Sequence, residues 1–196
     1  MSEQVFEQVS GQVAEQVTAE PREDLELATD VARDARSFLQ TLELVASGAA
    51  DSQSVALLLL DVAQMCVAGA HLGARTDVIL DSNVEPGVDA APDLDDVRHG
   101  LATQLDPVDG SVEVFDPYTD DPPVAYRLSD DLADMGQDLM RGLQHYDGGR
   151  AREALWWWQF TYLNSWGGSA GAALRALQSI VAHVRLDAAA EDVPDV

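Results

Sequence analysis

The sequence predicts an all-α protein, a single-domain helical bundle of about five to six helices with a long acidic loop that contains prolines. Successive segments place apolar residues at the spacing of one helix face, with glycine or proline between the segments. All four tryptophans lie within residues 153–166, where apolar side chains surround most of a helix. We interpret that segment as the central helix. At 196 residues the chain has the length of one ordinary domain.

The first residues of the chain repeat a four-residue unit that contains Glu-Gln-Val. Valine at every fourth position drifts by about 40° per repeat around a helix, and valine is a weak helix former. We therefore expect residues 1–20 to be a disordered, low-complexity tail. The helical domain then spans residues 21–186, and residues 187–196 form an acidic, frayed tail.

Two antiparallel helices are predicted next. The first ends at Ser47-Gly48, and the second is capped by Asp51 or Ser52 and ends at Gly73. Their apolar faces are Leu27, Val31, Ala35, Phe38, Leu42 and Val45 in the first, and Val55, Leu58, Leu59, Val62, Cys66 and Gly69 in the second. Cys66 is the one cysteine of the chain, so no internal disulfide can form, and a buried, inert thiol is the expectation.

A third helix is predicted over residues 94–105, after a connection over residues 74–93. Residues 106–128 follow, and they hold four prolines. A loop of this length inside a compact domain is either functional or packed against the domain by its own side chains.

Three helices complete the predicted bundle. Ser129 is expected to cap the fourth, which Gly148-Gly149 closes. The tryptophan helix begins at about Arg152, and the last helix covers residues 169–186. The predicted core positions are Leu132, Met135, Leu139, Leu143 and Tyr146 in the fourth helix, and Ala173, Leu177, Ile180 and Val184 in the last.

The tryptophan helix has a wide apolar arc. Leu155, Trp158, Tyr162 and Trp166 share one face, and Trp156, Phe160 and Leu163 lie on the flank beside it. Three consecutive tryptophans cover about 200° of a helix, so either this helix is packed on nearly all sides or one ring, that of Trp157, reaches the surface. Gln159, Asn164 and the loops packed against this helix are candidate acceptors for the indole N–H groups. An aromatic core is favoured here over an aromatic ligand cage.

The net charge of the chain limits the classes of partner that it can bind. The chain has 35 acids and 11 bases, all of them arginine, and a net charge of −24. A field this negative repels nucleic acid and anionic membranes, and it favours a basic protein or a divalent cation.

The N-terminus lacks a basic region followed by an apolar run, so a cytoplasmic location is expected. The absence of lysine, with much Ala, Val, Asp and Arg, suggests a GC-rich bacterial genome.

Several motifs occur in order over residues 114–177. They are Phe115-Asp116-Pro117-Tyr118, Leu128 to Asp134, Asp138-Leu139, Gly142-Leu143, Trp156 to Phe160, Trp166-Gly167 and Ala173 to Leu177. Together they resemble the bacterial family DUF5063, and in particular actinobacterial-type members. The resemblance implies an all-α cytoplasmic domain of unknown activity. The chain departs from the family pattern at Met135-Gly136, where Ile-Tyr is usual, and near Trp166, where histidines are frequent.

The candidate site lies where the acidic loop meets the fourth helix and the tryptophan helix. Arg127 is expected to pair with Asp116 or Asp131, and Phe115 and Tyr118 are expected to pack into the groove between the two helices. A structural clasp and a ligand pocket both remain open for this site. The candidate ligand or partner residues are Phe115, Asp116, Tyr118, Arg127, Asp131, Trp158, Tyr162 and Trp166.

No complete set of catalytic residues, metal ligands or cofactor-binding motifs is present in the sequence. The leading hypothesis is a non-enzymatic interaction or regulatory protein with a strongly acidic surface. The alternative hypothesis is a small-molecule or divalent-cation site between the acidic loop and the tryptophan helix.

Overall fold

The computed structural model describes the backbone of residues 2–80, 93–113 and 124–191, and the side chains of residues 22–80, 93–110 and 125–186. Within these ranges the chain forms six α-helices and one two-stranded hairpin, which confirms the all-α bundle. The helices are α1 Ser2–Ala46, α2 Ser54–Gly73, α3 Asp95–Gln104, α4 Leu128–Asp147, α5 Ala151–Asn164 and α6 Trp166–Glu191, and the strands are β1 Gly110–Glu113 and β2 Val124–Arg127.

Helix α1 has the predicted inward face from Val31 to Val45, and every predicted residue in that span is buried. The structure begins α1 at Ser2, so the helix includes the residues predicted to form a disordered tail. The side chains of residues 2–21 lie outside the described part of the chain. The domain boundary at residue 21 therefore stays a prediction.

Helices α1 and α2 are antiparallel, as predicted, because residues later in α2 bond to residues earlier in α1. Asp61 accepts hydrogen bonds from Ser37 Oγ at 3.0 Å and Thr41 Oγ1 at 2.6 Å. One turn along, Gln64 Nε2 donates to Asp34 at 2.9 Å. These bonds satisfy the carboxylates at the edge of an otherwise apolar contact.

The predicted cap of α2 is wrong. A short 3-10 turn, Asp51–Gln53, precedes the helix, and no side chain caps its N-terminus. Asp51 has a φ of 47°, which directs the chain into the turn. Ser54 Oγ instead donates back to the carbonyl oxygen of Asp51 at 2.8 Å.

Residues 106–128, predicted to be one long loop, contain regular structure. A 3-10 turn, Asp106–Val108, leads into β1, which pairs antiparallel with β2 from Gly110 opposite Arg127 to Glu113 opposite Val124. Strands of four residues are too short to show an alternating pattern in the sequence. Their pairing satisfies backbone groups that a free loop would leave to solvent. Residues 114–123, which join the strands, lie outside the described part.

Helix α5 is central, since it contacts α1, α2, α4 and α6. Trp158 and Trp166 are fully buried. The alternative in which Trp157 reaches the surface is wrong, because it is only 5% exposed. Helix α4 covers that side of α5, and Trp157 Nε1 donates to the carbonyl oxygen of Asp138 at 3.1 Å.

The last helix starts earlier than predicted. The chain breaks the helical path at Ser165, with φ −142° and ψ −91°, and α6 begins at Trp166 rather than at residue 169. Ala173 and Leu177 are buried as predicted, whereas Val184 is 62% exposed, so its inward assignment is wrong. Residues 182–186 of this helix are all exposed.

Among the described residues, one helix is long and apolar enough to cross a membrane by length and composition. It is the stretch Asp51–Gly73, of which a third is buried in the bundle, and core helices of soluble proteins meet the same criterion. Leu58, Val62 and Met65 of this helix are fully buried against the rest of the core.

Candidate functional site

The carboxylate of Asp109 joins the base of the hairpin to the start of α4. Its Oδ1 accepts the backbone N–H of Ser129 at 2.7 Å, and its Oδ2 accepts Ser129 Oγ at 3.0 Å and Arg127 Nε at 2.9 Å. The backbone carbonyl of Asp109 also accepts the N–H of Leu128 at 2.8 Å. Asp109 is only 3% exposed, so these bonds are shielded from water.

One prediction about this junction is therefore wrong. Ser129 does not cap α4, because the helix begins at Leu128 and Ser129 is itself inside the first turn. The capping acceptor is supplied by Asp109, where its negative charge favours the N-terminus of the helix. Arg127 forms an ion pair with Asp109, a partner that the sequence did not indicate, and its predicted pairing with Asp116 or Asp131 stays a prediction.

Tyr162 and Trp166 belong to the core between α2, α5 and α6, whereas the indole of Trp158 packs against Gly142 of α4. The rings of Tyr162 and Trp166 lie 4.9 Å apart at 59°, and the Tyr162 ring lies directly against Gly69 and Gly73 of α2. Glycine at both positions is what permits this approach, because an added Cβ would overlap the ring. The favoured interpretation of an aromatic core fits this packing.

The indole N–H groups of Trp157, Trp158 and Trp166 bond to backbone carbonyl oxygens of helices, not to Gln159 or Asn164. Trp158 Nε1 donates to Leu139 at 3.1 Å, and Trp166 Nε1 donates to Trp158 at 3.2 Å. These indole N–H groups therefore find acceptors on the helices that already surround them.

Gln159 instead holds the connection that follows α2. Its Nε2 donates to the carbonyl oxygen of Leu72 at 2.9 Å, and its Oε1 accepts the backbone N–H of Val78 at 2.7 Å. Gln159 is buried at 5% exposure, so one side chain fixes both ends of that turn against α5.

The candidate residues fall into two groups. Arg127 and Asp131 lie at the N-terminus of α4, whereas Trp158 packs beside Leu139, about 16 Å further along that helix at 1.5 Å per residue. Phe115, Asp116 and Tyr118 lie outside the described residues. Their packing into the groove, and the site as a whole, stay predictions.

A polar cluster that the sequence did not single out lies between α4 and α5. His145 is fully buried, and its Nδ1 lies 3.1 Å from Glu153 Oε2. Arg150 Nε donates to the same oxygen at 2.8 Å. His145 Nε2 has no hydrogen-bond partner among the described residues. Burial lowers the pKa of His145, against the opposing effect of Glu153, so its neutral form is favoured.

Two further residues of α4, Arg141 and Asp138, extend this polar cluster along α5. The Arg141 guanidinium lies 4.7 Å from the centre of the Trp157 ring, a cation–π contact. One turn earlier, burial raises the pKa of the Asp138 carboxyl, and a hydrogen bond with Ser165 acts in the opposite direction. Only the spacing of these residues along α4 could have indicated the cluster.

The outer face of α5 is apolar. Trp156 and Phe160 stack with ring centres 5.4 Å apart and planes 3° from parallel. Phe160 is 50% exposed and Leu163 is 64% exposed. We call Trp156, Phe160 and Leu163 the α5 stripe. The sequence indicated it, since these three residues lie on the flank beside the core face.

No group of three or more His, Cys, Asp or Glu side chains arranged for a metal ion occurs among the residues whose side chains are described. Asp116 and its acidic neighbours in residues 114–123 lie outside that set. Cys66 is half-buried, and burial raises the pKa of its thiol, which lowers its reactivity at neutral pH.

The architecture defines the class as an all-α bundle with a small hairpin inserted between α3 and α4. Residues 23–183 match the family described as Domain of unknown function (DUF5063), and the chain belongs to that family. No curated protein matches the chain. Its structure resembles the crystal structure of protein BF1032 from Bacteroides fragilis, with a TM-score of 0.64 and 20% identity over 78% of this chain and 90% of that one. That likeness concerns the fold alone.

Proposed function

We propose that this protein is a non-enzymatic interaction or regulatory protein of the cytoplasm, and that its strongly acidic surface binds a basic protein partner. The observation that carries the proposal is the surplus of 35 acids over 11 arginines. A surface with this much negative charge attracts cationic partners and speeds their encounter.

The net charge of −24 already counts every arginine, and most of the arginines are paired with carboxylates within the chain. Seven of the eleven lie within 4 Å of a carboxylate in the described residues, and they are Arg22, Arg33, Arg36, Arg75, Arg98, Arg127 and Arg150. The remaining acids are in large excess, so the surface offers anionic partners few unpaired cations.

The start of α4 illustrates the surplus. Arg98 donates to Asp130 at 3.0 Å and to Asp134 at 2.7 Å, so a single cation is shared by two carboxylates. Asp131 lies beside them in the first turn. The net charge of this surface stays negative even where an arginine is bound to it.

We also propose that the chain is an actinobacterial-type member of its family. The support is compositional, since all eleven bases are arginine and none is lysine, a bias typical of GC-rich bacterial genomes.

The experiment is an affinity capture from the source cell at low salt, followed by identification of the captured proteins. The expected result is a specific basic protein that is released as salt rises from about 0.05 M to about 0.5 M, because exposed charges are then screened. An unrelated acidic protein of similar net charge serves as the control bait. Recovery of no partner beyond those that the control bait also binds would count against the proposal.

A further inference from the structure

The α5 stripe is an apolar surface on a helix whose other sides are in contact with the bundle. Trp156, Phe160 and Leu163 follow the i, i+4, i+7 spacing, so they line one side of α5. Helices α1, α2, α4 and α6 pack on the remaining sides. A contiguous apolar patch of this kind on a charged protein marks an interaction site more often than a single exposed residue does.

The stripe is also pre-organised. The stacking of Trp156 on Phe160 holds the two aromatic rings in parallel planes, and Trp156 packs partly against the core. Tryptophan contributes to binding energy at interfaces more often than most residues, because rigid aromatic rings bury much area at a small cost in conformational entropy. A partner would therefore meet a surface that requires little rearrangement.

Charge flanks the stripe on two sides. Toward α4, the exposed carboxylate of Asp134 shares Arg98 with Asp130, so these three residues keep one net negative charge. Toward α2, Gln159 holds the connection that carries the exposed Asp77. Arg152, exposed near the start of α5, is a basic residue on the same side as the stripe.

We infer that the α5 stripe docks a basic amphipathic helix of a partner protein, with apolar side chains on the stripe and Lys or Arg side chains directed toward Asp77 and Asp134. This inference rests on the proposed function and adds to it the surface and the form of the partner. A second copy of the chain is disfavoured as the occupant, because each copy has a net charge of −24. An amphipathic helix that lays its apolar face on an apolar surface is a common form of peptide recognition.

The probe is a synthetic peptide of about 18 residues with leucine at helix-face spacing and lysine elsewhere. A scrambled peptide of equal composition and a peptide with glutamate in place of lysine are the peptide controls. Binding to the full chain is measured by titration calorimetry and by the tryptophan emission, which should shift when Trp156 is covered. We expect the lysine peptide to bind, more weakly as salt rises, and the glutamate peptide not to bind.

Two variants test the surface. Phe160→Ser and Leu163→Ser should each reduce the affinity at least about tenfold, because exposed anchors at the centre of an interface dominate binding. Leu60→Ser on α2 is the matched control, since Leu60 is 69% exposed and lies outside the stripe. It should bind the peptide like the unaltered chain. The thermal unfolding of each variant is measured to show that it is folded.

The outcomes separate the two proposals. Unchanged, salt-sensitive binding by both stripe variants would overturn the docking surface and leave the basic-partner proposal standing. No binding of the lysine peptide by the unaltered chain would overturn both. A concentration-dependent dimer that Phe160→Ser abolishes would make a second copy the occupant and would overturn the inference. Equal binding of the scrambled peptide would show charge attraction alone and would also overturn it.

Discussion

Ser129 donates two hydrogen bonds to the carboxylate of Asp109, one from its backbone N–H at 2.7 Å and one from its hydroxyl at 3.0 Å. The two residues lie on opposite sides of the hairpin in sequence. A buried acid before β1 thus supplies the acceptor that the first turn of α4 lacks. The start of α4 is fixed by a contact that crosses the hairpin, not by a local cap.

Asp109→Ala should lower the free energy of unfolding by about 3 kcal/mol, because it leaves the buried N–H and hydroxyl of Ser129 without an acceptor. Ser129→Ala should cost about 1 kcal/mol, since the backbone bond remains. Denaturant unfolding measures both. Asp106→Ala is the control in the same turn, at an exposed carboxylate, and should change stability by less than about 0.5 kcal/mol. Equal costs for Asp109→Ala and Asp106→Ala would contradict the capping role.

Gly142→Ala should destabilise the bundle, since a Cβ at this position would overlap the indole of Trp158. Trp158 is fully buried and bonded to Leu139, so it cannot move away without loss of that bond. Overpacking of this kind costs about 1–3 kcal/mol or more. The measurement is the shift of the denaturation midpoint.

Gly171→Ala is the matched control for this substitution. Gly171 lies in α6 with no atom within 4 Å of an added Cβ. Alanine is the better helix former there, so the control should stabilise the chain by up to about 1 kcal/mol. A neutral Gly142→Ala would show that α4 and α5 are less closely packed than described.

Stability should fall as the pH drops below the unfolded pKa of histidine, which is about 6.5. Burial lowers the pKa of His145 in the folded chain, so the unfolded chain takes up the proton first and is favoured on acidification. Above that pH both states are neutral at this residue, and it has no effect. Denaturation midpoints at about pH 7.5 and about pH 5.5 measure the change.

His145→Gln should reduce this pH dependence, whereas His99→Gln, at an exposed ring on α3, should leave it unchanged. The groups facing His145 are Glu153, Arg150 and Arg141, and the arginines oppose its protonation. An identical pH profile for the unaltered chain and His145→Gln would show that His145 does not set it.

Helix positions and core faces could be predicted from the sequence because they follow local rules. Phe38, Leu58, Leu139 and Leu177 all lie on the predicted inward faces, and all are fully buried. The spacing of apolar residues determines the inward face of a helix whatever packs against it. The family likeness carried by residues 114–177 is likewise borne out by the match over residues 23–183.

The contacts that position the candidate site could not be predicted, because they join residues far apart in sequence. The hydrogen bonds of Asp109 with Ser129, of Gln159 with Val78 and of Asp61 with Thr41 are examples. In each of them a single side chain reaches another element. No periodic pattern signals such bonds. The burial of Trp157 could not be predicted for the same reason, since only the position of α4 decides which of the three adjacent indoles is covered.

The alternative function predicts that a divalent cation binds near Asp116. A cation present at about 100 times its dissociation constant would add about 2.7 kcal/mol of stability, which raises the melting temperature of a domain of this size by about 5–10 °C. We expect no such rise with calcium, magnesium or manganese. Thermal unfolding with and without each ion is the measurement. A rise that Asp116→Asn abolishes would revive the cation site.

The N-terminal repeats are predicted to extend α1 without stabilising the bundle. The helical backbone of α1 starts at Ser2, the family match begins at residue 23, and Ala28 is the first buried residue among the side chains described from residue 22 onward. A helix that extends from a folded core needs no new nucleus, so the repeats can be helical without adding to the core. Their valines drift by about 40° per repeat and cannot follow one packing face.

Removal of residues 2–20 should therefore change the free energy of unfolding by less than about 1 kcal/mol, and the amides of these residues should exchange within the shortest labelling times. Removal of residues 2–32 is the contrasting truncation, because it deletes the buried Ala28, Val31 and Ala32 and should unfold the bundle. A loss of more than about 2 kcal/mol on the shorter deletion would place the repeats inside the folded domain and move its boundary to the start of α1.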